Sequence, residues 1–78
     1  MRPTIDLVAT GATIRGLRKR CGITVAQIQE YLELQTPRSI YKWQQGKCLP
    51  DIENLLGLSI MFAIPINEFL KTKQRESG

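Results

Sequence analysis

The sequence predicts a small all-α domain, in which five short helices follow a short extended N-terminal arm. Three observations support this. Apolar residues recur at helical intervals from Ile14 onward. Start signals at Thr24, Thr36-Pro37 and Asp51 and stop signals at Gly22 and Gly46 bracket those runs. No stretch alternates apolar and polar residues strictly enough for a strand, except residues 4–9, which read as the extended arm. A chain of 78 residues has room for one domain. The expected division is 1–10 for the arm, 11–71 for the helical domain and 72–78 for a flexible polar tail.

The first helix is expected over 12–21, with Gly11 separating it from the arm. Ile14, Leu17 and Cys21 form its apolar stripe, with Cys21 a small core residue, and Gly22 ends it in a left-handed conformation. Thr24-Val25-Ala26-Gln27 is a capping box for the second helix, and Ile23 and Ile28 stand at the positions of a hydrophobic staple. That helix runs to about Leu32, burying Ile28 and Leu32. Leu34 then points inward from the turn Glu33-Leu34-Gln35. Thr36 is the expected N-cap of the third helix and Pro37 its first residue, where a missing N–H is harmless. Ile40 and Trp43 face the core, while Arg38, Ser39, Tyr41, Lys42 and Gln45 lie outside or at the margins. Asp51 caps a fourth helix that is apolar nearly all round, which implies burial on most sides, and Gly57 and Ser59 mark the close approach of a neighbouring backbone. Pro65 breaks the chain before a fifth helix, from Ile66 to about Lys71, that buries Phe69 or Leu70.

Charge is unevenly distributed. The net charge is +4, but residues 14–47 hold seven bases against two acids, whereas residues 48–70 hold three acids and no base. One half of the chain suits an anionic partner, since Lys and Arg displace counterions condensed on phosphates. Enzyme chemistry finds little support. The chain has no histidine, hence neither the commonest general base nor the commonest metal ligand, and no phosphate-cradling glycine loop. No cofactor or metal is expected. Cys21 and Cys48 read as reduced thiols of a cytoplasmic protein. The first residues carry charge where a signal peptide needs an apolar run. The longest apolar stretch, 55–66, is interrupted and too short for a bilayer of roughly 30 Å, so no membrane partner is expected.

Two helices joined by a tight turn, the second apolar inside and cationic outside, form a helix-turn-helix pattern. A helix about 10–12 Å across fits a major groove about 12 Å wide. The ordered set Ile14-Arg15-x-Leu17-Arg18, Gly22-Ile23-Thr24, Ile28-x-x-Tyr31-Leu32, Ile40-Tyr41-Lys42-Trp43, Gly46-Lys47-x-Leu49-Pro50 and Asn54-Leu55-Leu56-x-Leu58 resembles the Cro/repressor-type (Xre-like) family over roughly residues 11–70. The resemblance implies a compact five-helix domain of bacterial or phage origin that regulates transcription by binding double-stranded operator DNA, usually as a homodimer. By position it implies base contacts at Pro37, Arg38, Tyr41 and Lys42, with Tyr41 equally suited to surface packing. It implies phosphate contacts at Thr24, Val25, Gln45 and Lys47. Arg15, Lys19 and Arg20 read as a solvated face that adds long-range attraction.

The chain departs from the family pattern twice. Glu33 stands where the family often has glycine, in a turn one residue longer, and glutamate disfavours positive φ, so a different turn is expected. Gln44 stands where a glutamate often pairs with the arginine at position 18, so a neutral hydrogen bond replaces the ion pair or the link is absent. A protein-interaction module, such as an antitoxin-like partner, is the alternative reading. It rests on the apolar helix 51–63 and the end at Phe69-Leu70.

Overall fold

The carboxylate of Asp6 starts the first helix: its Oδ1 accepts a hydrogen bond from the backbone N–H of Ala9 at 3.0 Å. A computed structural model describes residues 3–74 of the chain. The elements in order are β1 (Pro3–Ile5), α1 (Leu7–Arg20), α2 (Val25–Tyr31), α3 (Arg38–Gln44), α4 (Ile52–Phe62), α5 (Ile66–Phe69) and β2 (Thr72–Gln74). The expected helical class and all five helices are present.

The first helix is longer than expected because of Asp6. Residues 7–11 continue α1, so the extended arm is confined to the residues before it. Gly11 does not separate two segments; it is buried within α1, where a Cβ would fall on the carbonyl oxygen of Trp43 and 2.8 Å from that of Gln44. The missing side chain lets the backbones of α1 and α3 touch. Cys21 is not a core residue: it is the exposed C-cap of α1, one step past the last buried turn.

Residues 72–74, expected within a flexible tail, form β2 and pair antiparallel with β1 in the register Pro3↔Gln74, Thr4↔Lys73 and Ile5↔Thr72. The remaining tail positions, 75–78, and residues 1 and 2 of the arm lie outside the described residues. A buried threonine secures the ribbon. The Thr10 hydroxyl accepts from the Lys71 N–H at 2.9 Å and donates to the Lys71 carbonyl at 3.4 Å, while Asp6 N–H donates to the same carbonyl at 2.8 Å. Such a paired polar group can be buried without a large penalty.

The core comprises Ile14, Ile28, Ile40, Trp43, Leu55, Leu58, Phe62 and Phe69. Phe69, rather than Leu70, is the fully buried residue of α5; its ring lies 5.6 Å from that of Phe62, tilted by 52°. Leu32 and Leu34 pack against this core as expected. Asp51 caps α4, accepting from Asn54 N–H at 2.8 Å. The neighbour at Gly57 is not a backbone, as expected, but the side chain of Leu32, the C-cap of α2. Burial on most sides of α4 is not found. Ile52, Leu56 and Ile60 are 70%, 53% and 62% exposed. A helix whose main neighbours are α2 and α5 keeps an open flank, whatever its composition. Among the described residues no helix is long and apolar enough to cross a membrane.

Two glycines of α1 should respond oppositely to the same substitution. Gly11→Ala forces α1 away from α3 and is expected to destabilise the domain by about 2–3 kcal/mol. Gly16 has open space around it, so Gly16→Ala should stabilise by about 0.5–1 kcal/mol through helix propensity. Urea unfolding midpoints of the two variants check this.

Candidate nucleic-acid interface

The N-terminus of α2 carries the expected capping box. Thr24 Oγ1 accepts from Gln27 N–H at 3.0 Å, and Gln27 Oε1 accepts from Thr24 N–H at 2.8 Å. Thr24 is exposed, while the Val25 side chain is half-buried against the core.

The turn after α2 adopts the conformation its sequence disfavours. Glu33 takes φ +56°; its N–H donates to Glu30 O at 3.1 Å, and Leu34 N–H donates to Gln29 O at 2.9 Å. This is a Schellman ending with glutamate in the left-handed position normally held by glycine. The expected change of turn geometry is therefore absent. The paired carbonyls and the seating of Leu34 in the core outweigh a strain of about 1–2 kcal/mol.

The third helix starts one residue later than expected. Pro37 is the N-cap rather than the first helical residue, and its carbonyl accepts from Tyr41 N–H at 3.2 Å. The Thr36 hydroxyl still accepts from Arg38 N–H, at 3.4 Å. Ile40 and Trp43 are buried on the inner face. Arg38, Tyr41, Lys42 and Gln45 are all exposed. Their spacing of three, four and seven residues sets them along one outer stripe. Pro37 is half-buried at the head of that stripe, and Lys47 is exposed in the loop beyond Gly46.

The far end of α3 is fixed to α1 through side chains. Arg18 Nε donates to Gln44 Oε1 at 3.0 Å, and its Nη1 donates to the Ile23 carbonyl at 3.0 Å. Of the two alternatives for this position, the neutral hydrogen bond is the one formed. Gly46, at φ +74°, lies against the backbone of Val8.

One feature of the surface was not expected. Arg15, Arg18 and Lys19 of α1 face Tyr41, Gln44 and Gln45 across a cleft of about 460 Å³. The α1 cations are thus not an isolated solvated face; they continue the polar surface of α3. Positions 15, 18 and 19 share a helix face by spacing, but only the α1–α3 packing reveals what lies opposite. Arg20 is exposed and does not line this cleft.

The fold is shared with several solved structures. The restriction-modification controller protein C.AhdI from Aeromonas hydrophila superposes with a TM-score of 0.72, at 23% identity, covering 82% of this chain and 96% of that one. The DNA-binding domain of BldD superposes at 0.68 and 18% identity, covering 85% of this chain and 94% of that one. The S. venezulae BldD DNA-binding domain gives 0.68 and 18%, covering 85% and 97%. No family model and no curated protein matches the sequence. The fold is that of a repressor-type helix-turn-helix domain, in which α2 and α3 are the helix pair.

If Glu33 is strained as its φ indicates, Glu33→Gly should stabilise the domain by about 0.5–1 kcal/mol, the strain relieved being partly offset by the greater freedom of the unfolded chain. Thermal and urea unfolding of the variant, with an unchanged far-UV circular dichroism spectrum, check this.

Proposed function

We propose that the chain is a sequence-specific regulator of transcription that inserts α3 into the major groove of double-stranded DNA, without enzymatic activity or a cofactor. The observation that carries this reading is the outer stripe of α3: Arg38, Tyr41, Lys42 and Gln45 exposed along one side while Ile40 and Trp43 are buried on the other. Arg38 and Lys42 would read base edges, favouring guanine with its two major-groove acceptors. Pro37 and Tyr41 would lie beside them against the bases. Thr24 and Val25 at the start of α2, with Gln45 and Lys47 after α3, would meet phosphates. The cleft adds Arg15 and Lys19 to that phosphate-facing set. The similarity to a restriction-modification controller and to DNA-binding domains supports the reading through shared fold. A soluble regulator of bacterial type would work in the cytoplasm, where its DNA is. The protein-interaction alternative draws on the exposed apolar residues of α4, and the two readings are compatible.

Selection from a random duplex pool at stated salt should enrich a defined sequence. On that duplex Arg38→Ala should weaken binding by about 1–3 kcal/mol and relax one base position. Lys47→Ala should weaken all duplexes alike and lower the salt slope by about one. Unchanged affinity in both Arg38→Ala and Lys42→Ala would show that α3 is not the reading surface.

A further inference from the structure

The cleft between α1 and α3 has the makings of an anion site. Arg15, Arg18 and Lys19 line one side of it and Tyr41, Gln44 and Gln45 the other, so its walls hold three cations and no carboxylate. At about 460 Å³ it falls within the span of about 300–1,000 Å³ common among small-ligand sites. Two of its groups are set in place. The half-buried Arg18 donates through Nε to Gln44 and through Nη1 to the Ile23 carbonyl, each at 3.0 Å, and its Nη2 takes part in neither bond. Both partners are neutral, so the full charge of the guanidinium stays with the cleft. Because Gln44 Oε1 accepts from Arg18, the group Gln44 has left to offer is its Nε2 donor. Each of these features favours a negatively charged ligand.

We propose that the α1–α3 cleft binds a nucleoside monophosphate, adenosine monophosphate fitting it best, and that the bound nucleotide excludes duplex DNA. The phosphate is assigned to the α1 side. A phosphomonoester carries about −1.5 to −2 at pH 7 and three acceptor oxygens, which suits three clustered cations better than the single charge of a carboxylate. The base is assigned to the α3 side. Tyr41, 48% exposed, offers an aromatic face on which a free base can stack. The exposed amide of Gln45 can donate and accept at once, the pairing that the N6 and N7 edge of adenine satisfies. A duplex presents neither a doubly charged phosphate nor an unstacked base, so this combination is that of a small ligand.

The exclusion of DNA rests on the proposed function. Tyr41 and Gln45 belong both to this cleft and to the outer stripe of α3, and Arg15 and Lys19 to the phosphate-facing set. A nucleotide and a duplex therefore claim the same side chains. Ligands that compete for one set of groups are coupled negatively, and each lowers the apparent affinity of the other.

NMR titration of the full chain without DNA tests the site. Adenosine monophosphate should shift the signals of Arg15, Arg18, Lys19, Tyr41, Gln44 and Gln45, with a Kd on the order of 0.1 mM. Adenosine and inorganic phosphate, each holding part of the ligand, should bind more weakly by about tenfold or more. Gln44→Glu keeps an acceptor for Arg18 but adds a negative charge, and should weaken the nucleotide by about three- to tenfold. Tyr41→Leu should lower nucleotide affinity to that of inorganic phosphate; Tyr41 is exposed, so this variant tests the site should Gln44→Glu fold poorly. Cleft signals that stay still up to about 10 mM nucleotide, adenosine or phosphate binding as tightly as the nucleotide, or folded variants binding it like wild type would each overturn the site. Competition is read separately, by fluorescence anisotropy of a duplex enriched from the random pool. The nucleotide should displace the protein, and sodium chloride at the same ionic strength should not. A nucleotide that fills the cleft yet leaves duplex affinity unchanged would overturn the exclusion. A filled cleft on a chain that binds no duplex would overturn the proposed function and support the nucleotide site; duplex binding with an unresponsive cleft would do the reverse.

Discussion

The backbones of α1 and α3 meet at Gly11, and the outer face of α3 takes its position from that contact. Seven residues are too few for a helix to persist alone in water. The third helix exists because its inner side is held: Ile40 and Trp43 lie in the core, Gln44 accepts from Arg18, and Gly46 rests on Val8. With the inner side held, Arg38, Tyr41, Lys42 and Gln45 project from a rigid support rather than from a frayed segment. Side chains that must match base edges need such support, since a misplaced donor forfeits the hydrogen bond it was meant to make.

The helix ends perform the complementary task of setting angles. Each of α1, α2, α3 and α4 is followed by a residue in the left-handed conformation: Gly22, Glu33, Gly46 and Ala63. Each then turns sharply, with the next N–H returning to a carbonyl of the last helical turn. The geometry recurs although only two of the four residues are glycine, so the pairing of carbonyls decides the turn, helped after Gly22, Glu33 and Ala63 by a following apolar residue, Ile23, Leu34 or Ile64, that packs against the core. The Arg18–Gln44 link shows a similar substitution of means. A neutral amide accepts where a carboxylate would form an ion pair, and a half-exposed pair of that kind contributes little either way. It leaves the cationic character of the α1–α3 cleft undiminished by a negative charge.

Much of this was legible in the residues. The capping box at Thr24, the cap at Asp51, the break at Pro65 and the inward pair Ile40 and Trp43 depend on local chemistry and stand where local rules put them. The misreadings share a different cause. Asp6 is a cap inside residues 4–9, whose first four residues alternate polar and apolar like a strand until Ala9 N–H is seen to bond the carboxylate. Gly11 looks like a punctuation mark because its reason, the carbonyl of Trp43, lies more than thirty residues away. The strand Thr72–Gln74 has no pattern of its own and exists because Pro3–Ile5 lies beside it. The open flank of α4 was hidden by composition, since apolar content alone does not say which neighbours are present. At the interface, the outer stripe of α3 could be read from spacing, but the convergence of α1 cations upon it depended on tertiary packing.

The central claim, that α3 and the adjoining cleft form the surface offered to a duplex, is tested most directly by amide and side-chain NMR shifts on titration with a random-sequence duplex at low salt. The account predicts shifts at Arg38, Tyr41, Lys42, Gln45 and the cationic residues of α1, with the indole of Trp43 little changed because it faces the core. Shifts confined to the open flank of α4, with α3 silent, would contradict it.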